Sequence, residues 1–233
     1  MNGKEVEVTF DIDLAAVSQV YEALTQPVPA RGRDLAGVHL KPPRTVLHFY
    51  IGGIDEIRSR RLRVRRRRDR LIISLESKHV LREDRLSIEK EERTEIPNMP
   101  LADAAVLLAR GTKVTSSFIK NQHRMILESE FGLLKASLDQ MLPFRADRPA
   151  VLMSPFWHLE FEEINSWPLA HFLQSVLFRE NFADLRPLQE SKWRTAALGS
   201  PAPLKAMSSR RLREYFDELL ARGADESDWP GPR

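Results

Sequence analysis

Residues 5–10 read Glu-Val-Glu-Val-Thr-Phe, a strict alternation of polar and apolar side chains, and seven further segments carry the same two-residue period. They are residues 45–51, 61–67, 70–78, 85–93, 117–127, 133–139 and 157–164. The alternation predicts a mainly β chain with hairpin turns near Asp69 and at Gly132. Helices are fewer. Residues 13–24 place Leu14, Val17, Val20, Tyr21 and Leu24 at helical spacing behind Asp11 or Asp13 as N-cap. Residues 101–108 predict a short helix before Gly111, and Ser166 with Pro168 opens another over 169–178. A last helix is capped by Ser208 or Ser209 and stops at Gly223. The expected class is α+β.

Composition narrows the range of functions. The 36 Lys and Arg against 33 Asp and Glu leave a net charge of +3, too small for a purely electrostatic polyanion binder. The chain has no cysteine, which excludes disulfide scaffolds, thiolate metal sites and cysteine nucleophiles. No apolar run approaches the ~20 residues of a membrane span, and the N-terminus lacks a secretory pattern. A cytoplasmic location is expected.

Successive strand residues point to opposite faces, and here the polar faces segregate by sign. Glu5 and Glu7 share a face with Thr9, and Glu160 and Glu162 share one with His158. Arg61, Arg63 and Arg65 line up in the third segment, Lys120, Gln122 and Arg124 in the sixth, and Lys135, Ser137 and Asp139 in the seventh. A solvated face mixes its signs, whereas two of these strands carry Glu-x-Glu with nothing basic beside it. If such faces turn inward in a barrel, the carboxylates repel unless a cation sits among them, and a hard divalent ion with oxygen ligands meets that need. The opposing Arg and Lys call for an oxygen-rich anion. A phosphate chain offers oxygens to metal and guanidinium alike.

In order and spacing these motifs resemble the CYTH superfamily of triphosphate tunnel metalloenzymes. The resemblance covers residues 4–198, which sets a tunnel domain over 1–198 and leaves 199–233 as linker, C-terminal helix and disordered tail. Glu5-Val6-Glu7 stands for the opening Glu-x-Glu-x-Lys, with Thr9 where the lysine is expected. Leu62-Arg63-Val64-Arg65 matches a Leu-Arg-x-Arg strand, Lys78 the lysine ending the next, and Lys120 with Arg124 a later basic strand. Leu138-Asp139, the second Glu-x-Glu at Glu160 and Glu162, and Ser191-Lys192-Trp193 complete the series.

The resemblance implies a closed eight-stranded antiparallel β-barrel, the triphosphate tunnel, with flanking helices. It implies Mg²⁺ or Mn²⁺ at Glu5, Glu7, Glu160 and Glu162, which carry the catalysis, with Glu89 and Glu91 as a second acidic pair. Arg63, Arg65, Lys78, Lys120, Arg124 and Lys192 are then the phosphate ligands, and Asp139 fixes one of these cations. Lys78 or Arg61 is available to compensate for Thr9, and His158 reads as a hydrogen-bonded structural residue. The expected activity is hydrolysis of the terminal phosphate of inorganic triphosphate or of a nucleoside or thiamine triphosphate. Adenylate cyclase and polyphosphate polymerase chemistry use the same tunnel, and Thr9 keeps open a module that binds polyphosphate or nucleotide without turnover. The partner is a triphosphate-containing small molecule, with an RNA 5′ triphosphate end as the one nucleic-acid case. Assembly is open, a homodimer being the commonest kind. Substrate selectivity is expected in loops over 27–44 and 144–155, Arg66, Arg67 and Arg68 read as a solvated hairpin tip, and Leu212, Tyr215, Phe216 and Leu219 form a packing stripe.

Overall fold

The computed structural model describes residues 2–25, 36–52, 58–83, 89–109, 113–129, 131–146, 148–165, 168–188, 202–203 and 207–225. The strands are β1 (Asn2–Ile12), β2 (Gly37–Leu40), β3 (Arg44–Ile51), β4 (Arg58–Arg67), β5 (Arg70–Glu83) and β6 (Glu89–Ile96), then β7 (Lys113–Ser129), β8 (Gly132–Arg145), β9 (Arg148–Leu152), β10 (Phe156–Asn165) and β11 (Ala202–Pro203). The α-helices are α1 (Val17–Thr25), α2 (Leu101–Ala109), α3 (Leu169–Leu173), α4 (Val176–Phe182) and α5 (Ser209–Asp225).

Eight strands pair in a closed antiparallel ring, in the order β1, β6, β5, β4, β3, β7, β8, β10 and back to β1. The β7–β8 hairpin, with Ser129 opposite Gly132, joins the two ends of what is otherwise an open sheet. Each ring strand contains or overlaps one of the eight alternating segments. Closure removes the unpaired edges that an open sheet of this size exposes.

The barrel is inverted relative to a small barrel filled by apolar side chains. Its polar faces turn inward and its apolar faces outward, so the hydrophobic core is divided between two outer layers. One packs Val8, Phe10, Leu138, Leu159 and Phe161 of β1, β8 and β10 beneath α1, α3 and α4, with Phe161 and Phe172 ring centroids 4.6 Å apart. The other packs Leu47, Phe49, Leu62, Val64 and Ile119 of β3, β4 and β7 beneath α2 and α5. Helices therefore cover apolar area that would otherwise face water.

Several local expectations are corrected. The helix expected over 169–178 is two helices, because Ser175 leaves the helical path and its side chain caps α4 by accepting from the Phe178 N–H. Pro168, rather than Ser166, is the N-cap of α3, and Asp13 makes no side-chain cap bond to the short 3-10 turn Leu14–Ala16. Gly223 does not stop the last helix, which runs on to Asp225. A Cβ at Gly223 would lie 2.3 Å from Ile119 Cγ2, so this glycine serves a close approach of α5 to the barrel wall. The expected loops at 27–44 and 144–155 contain β2, paired with β7, and β9, paired with β8. Neither carries an alternating run long enough to be read as a strand. The disordered tail was expected over 224–233; Ala224 and Asp225 instead belong to the last helix, and residues 226–233 lie outside the described residues.

Candidate functional site

The pairing register brings the charged residues of distant segments side by side in the lumen. Glu7 of β1 is opposite Glu162 of β10, Thr9 is opposite Glu160, and Glu162 is in turn opposite Lys135 of β8. Carboxylate oxygens of Glu7, Glu160 and Glu162 all lie within 4.8 Å of one another. Each of the three has an ammonium beside it. Lys78 Nζ is 3.5 Å from Glu7, Lys120 Nζ is 3.6 Å from Glu160, and Lys135 Nζ pairs with Glu162.

Glu5 stands apart from that trio. Lys78 Nζ lies 3.2 Å from it and Arg93 donates to it. Burial pushes the Glu5 carboxyl up, but the Lys78 and Arg93 charges outweigh burial and bring it down to about 2.

A second carboxylate group centres on Glu76 of β5, which is fully buried. Arg61 Nε donates to it at 2.8 Å, and Arg63 and Arg93 donate to its other oxygen. Burial alone would raise the Glu76 pKa, yet the three guanidinium groups hold it well below the usual carboxylate range.

Arg63, bound to Glu76, also borders a group of arginines made of Arg44, Arg65 and Arg124. Burial, and then repulsion from Arg124, Arg63 and Arg65, lowers the Arg44 guanidinium to about 10. Burial and then Arg65 lower Arg124 likewise. Arg44 Nε donates to Gln122 at 2.7 Å, but among the described residues Arg44, Arg65 and Arg124 form no ion pair. Asp139, fully buried, connects the two sides. Its Oδ1 accepts from Ser137 Oγ at 2.5 Å and Gln122 Nε2 at 3.2 Å, and Lys120 Nζ is 2.5 Å from Oδ2. His158, also buried, has Nε2 3.0 Å from Asp11 Oδ1.

An eight-stranded ring with its acidic and basic faces turned inward in this motif order decides the architecture. The fold is a closed eight-stranded antiparallel barrel with flanking helices. No family model and no curated protein sequence matches the chain. Solved structures with a similar path include a conserved hypothetical protein from Pyrococcus furiosus, at 13% identity over 79% of this chain and 96% of that one, with a TM-score of 0.48. The PH1819 protein from Pyrococcus horikoshii OT3 is similar at 17% identity over 78% and 92%, with a TM-score of 0.49. The S. pombe Pct1 RNA triphosphatase is similar at 13% identity over 97% and 86%, with a TM-score of 0.42. The tunnel is defined by this chain's own pairings and inward charges.

Of the residues singled out from sequence, the tunnel gathers Glu7, Glu160 and Glu162 in one group and sets Glu5 beside Lys78. Arg65 and Arg124 share the arginine group that Arg63 borders, and Lys120 lies between Asp139 and Glu160. Glu91 and Glu89 are opposite Glu5 and Glu7 in the backbone ladder, and their side chains lie outside the described set. Lys192 also lies outside the described residues. Sequence reasoning gave no role to Glu76, Arg93, Arg44 or Lys135. Glu76 and Lys135 sit at the correct strand parity, and Arg44 directly precedes the segment 45–51 on the face of Val46 and His48. Extending the parity rule one residue past each segment would have found Arg44. Of the two residues offered to compensate for Thr9, Lys78 lies by the β1 glutamates and Arg61 is held by Glu76. The Lys135 ammonium also feels Glu160 and Glu7, so β8 brings a cation close to the place where Thr9 carries none.

Proposed function

We propose that the chain is a metal-dependent phosphohydrolase that removes the terminal phosphate from a triphosphate held in the tunnel. The observation that supports this most is the placement of three carboxylates within 4.8 Å of one another in the same lumen as Arg44, which Arg124, Arg63 and Arg65 repel. The donor set is oxygen only, which suits a hard divalent cation such as Mg²⁺ or Mn²⁺. Glu7, Glu160 and Glu162 would hold it, with Glu5 beside them. When bound, such an ion supplies charge neutralisation at phosphoryl oxygens and a water acidified for attack.

The chain's own residues do the rest. Arg44, Arg63, Arg65 and Arg124 grip phosphate oxygens, where a guanidinium fork matches the anion's geometry and relieves the mutual repulsion of the cluster. Lys78, Lys120 and Lys135, each resting on a carboxylate, can turn to an incoming anion without leaving the lumen. Asp139 orients Lys120 and Gln122 between the acidic and basic sides. Because the arginines are fixed by strands rather than loops, they need little reorganisation as charge develops on the phosphoryl group.

The test is phosphate release from inorganic tripolyphosphate, ATP and thiamine triphosphate with Mg²⁺, Mn²⁺ or chelator, beside thermal-shift readings on the same mixtures. Metal-dependent release supports the reading. Thr9 favours a second reading, a binding-only tunnel. That reading requires stabilisation by a triphosphate with no phosphate released under any metal.

A further inference from the structure

Glu76 is held by more cations than a carboxylate in a charged lumen requires. Three guanidinium groups from two different strands converge on its two oxygens: Arg61 and Arg63 of β4, and Arg93 of β6. Arginine forks converging from several directions are the usual surroundings of a bound phosphoryl group. Here the anion is supplied by the chain itself.

Aromatic side chains lie on the inward face beside the Glu76 group. In the ladder Glu76 is opposite Arg61, Arg61 is opposite Tyr50, and Tyr50 is opposite Ser116. Arg61 Nη1 donates to the Tyr50 hydroxyl at 3.2 Å, and its guanidinium carbon lies 6.0 Å from the Tyr50 ring centroid. Tyr50 packs with Phe118 and Met141, all three buried, and Phe156 packs against them. His48 stacks on Phe118 with centroids 4.8 Å apart. This third, small apolar cluster lies on the inward face of the barrel. In the other direction along β4 the inward face continues to Arg65, which lies with Arg44 and Arg124 and has no carboxylate partner among the described residues.

We propose that Glu76 is a resident anion occupying the innermost phosphate position of the tunnel, and that it thereby limits the site to a short phosphate chain approaching from the Arg44, Arg65 and Arg124 side. This deepens the triphosphate reading and rests on it. A chain long enough to reach past Arg63 meets a like-charged carboxylate backed by aromatic rings, so it neither binds nor threads. Glu76 is then a specificity-determining residue, and Arg61 and Arg93 serve it rather than the substrate.

The experiment compares wild type, Glu76→Gln and Glu76→Ala on tripolyphosphate, tetrapolyphosphate and long-chain polyphosphate with Mg²⁺, reading kcat/KM for each and Tm with added orthophosphate. Wild type is expected to prefer the shortest of these chains. In Glu76→Gln, which keeps the shape and removes the charge, the ratio of kcat/KM for the longer chains to that for tripolyphosphate rises at least about tenfold. Glu76→Ala gains a saturable rise in Tm with orthophosphate larger than that of wild type, the Arg44, Arg65 and Arg124 site remaining in both. A carboxylate that only stabilises the barrel would lower Tm and slow every chain length alike, and an unchanged ratio in Glu76→Gln overturns the inference while leaving the triphosphate reading intact. Should Glu76→Ala fail to fold, the Glu76→Gln ratio decides. Wild type that neither releases phosphate from any chain nor is stabilised by one removes both.

Discussion

Lys120 and Lys135 show how a single cation can serve two sites. Each rests on one glutamate of the acidic trio, and Lys120 also holds the buried Asp139 at 2.5 Å. The consequences of substitution differ around this group. Replacing Glu160 and Glu162 together by Gln keeps volume while removing two of the three clustered charges. Metal-dependent phosphate release should fall to background with the far-UV spectrum unchanged, and calorimetric Mn²⁺ titration should show the loss directly; an unaltered titration would place the metal elsewhere. Arg65→Ala should raise KM about tenfold or more by removing a charge-assisted contact, with a smaller change in kcat. Arg63→Ala should do the same and also lower Tm, since it strips one of three donors from the buried Glu76. Acid stability draws on His123 and Glu5, alongside the depressed Glu76 carboxyl. His123 is lowered from 6.5 to about 4, chiefly by burial, so between those values the unfolded chain binds the extra proton and stability falls as pH drops. The depressed Glu5 carboxyl adds stability that is complete above about 4.5 and is lost as pH falls towards 2. A thermal-shift series in pH should therefore decline in both windows, and Glu5→Gln should lessen the decline in the lower one, where Glu76 still contributes.

At the scale of the element, α5 carries more of the fold than its place at the end of the chain suggests. Leu212, Tyr215, Phe216 and Leu219 cover the outer faces of β3, β4 and β7, and Arg66 of the β4–β5 hairpin pairs with Asp217 at 2.5 Å. Near its end Gly223 meets the wall, where its carbonyl accepts from the Asn121 side chain at 2.8 Å. Phe216→Ala should cost about 3–5 kcal/mol by leaving a cavity between helix and sheet. Gly223→Ala should cost about 1–3 kcal/mol by forcing Ile119 and the helix apart. Both are read as a drop in urea midpoint, and a midpoint equal to wild type for Gly223→Ala would mean that α5 does not sit this close. The amphipathic stripe of α5 was legible from its spacing, as were the eight ring strands. The position where Gly223 meets Ile119 was not, because residues 104 positions apart in sequence share no local signal.

For the whole molecule, the inverted barrel couples ligand binding to stability. Its interior carries concentrated charge, while two separate apolar layers hold it together from outside. A ligand that neutralises the lumen relieves the repulsion among the arginines at no cost in apolar contact. Divalent cation with tripolyphosphate should therefore raise Tm more than the sum of either alone, and about 2.7 kcal/mol is available at a hundredfold excess over Kd. Chelator should reverse the metal's share and leave the polyanion's. Additive or smaller shifts would separate the two sites. Among the described residues no helix is long and apolar enough to cross a membrane.

The two-residue period by itself determined that the chain makes strands, which face of each is charged, and the sign of that charge, because side-chain direction in a strand is a local property. The motif order carried the expectation of a tunnel. Only the tertiary structure decided which charged residues meet: that Glu7 joins Glu160 and Glu162 while Glu5 turns to Lys78 and Arg93, and that Glu76 receives Arg61, Arg63 and Arg93. Those outcomes depend on strand register and on the closure of β7 against β8, and both are set by packing between segments far apart in sequence.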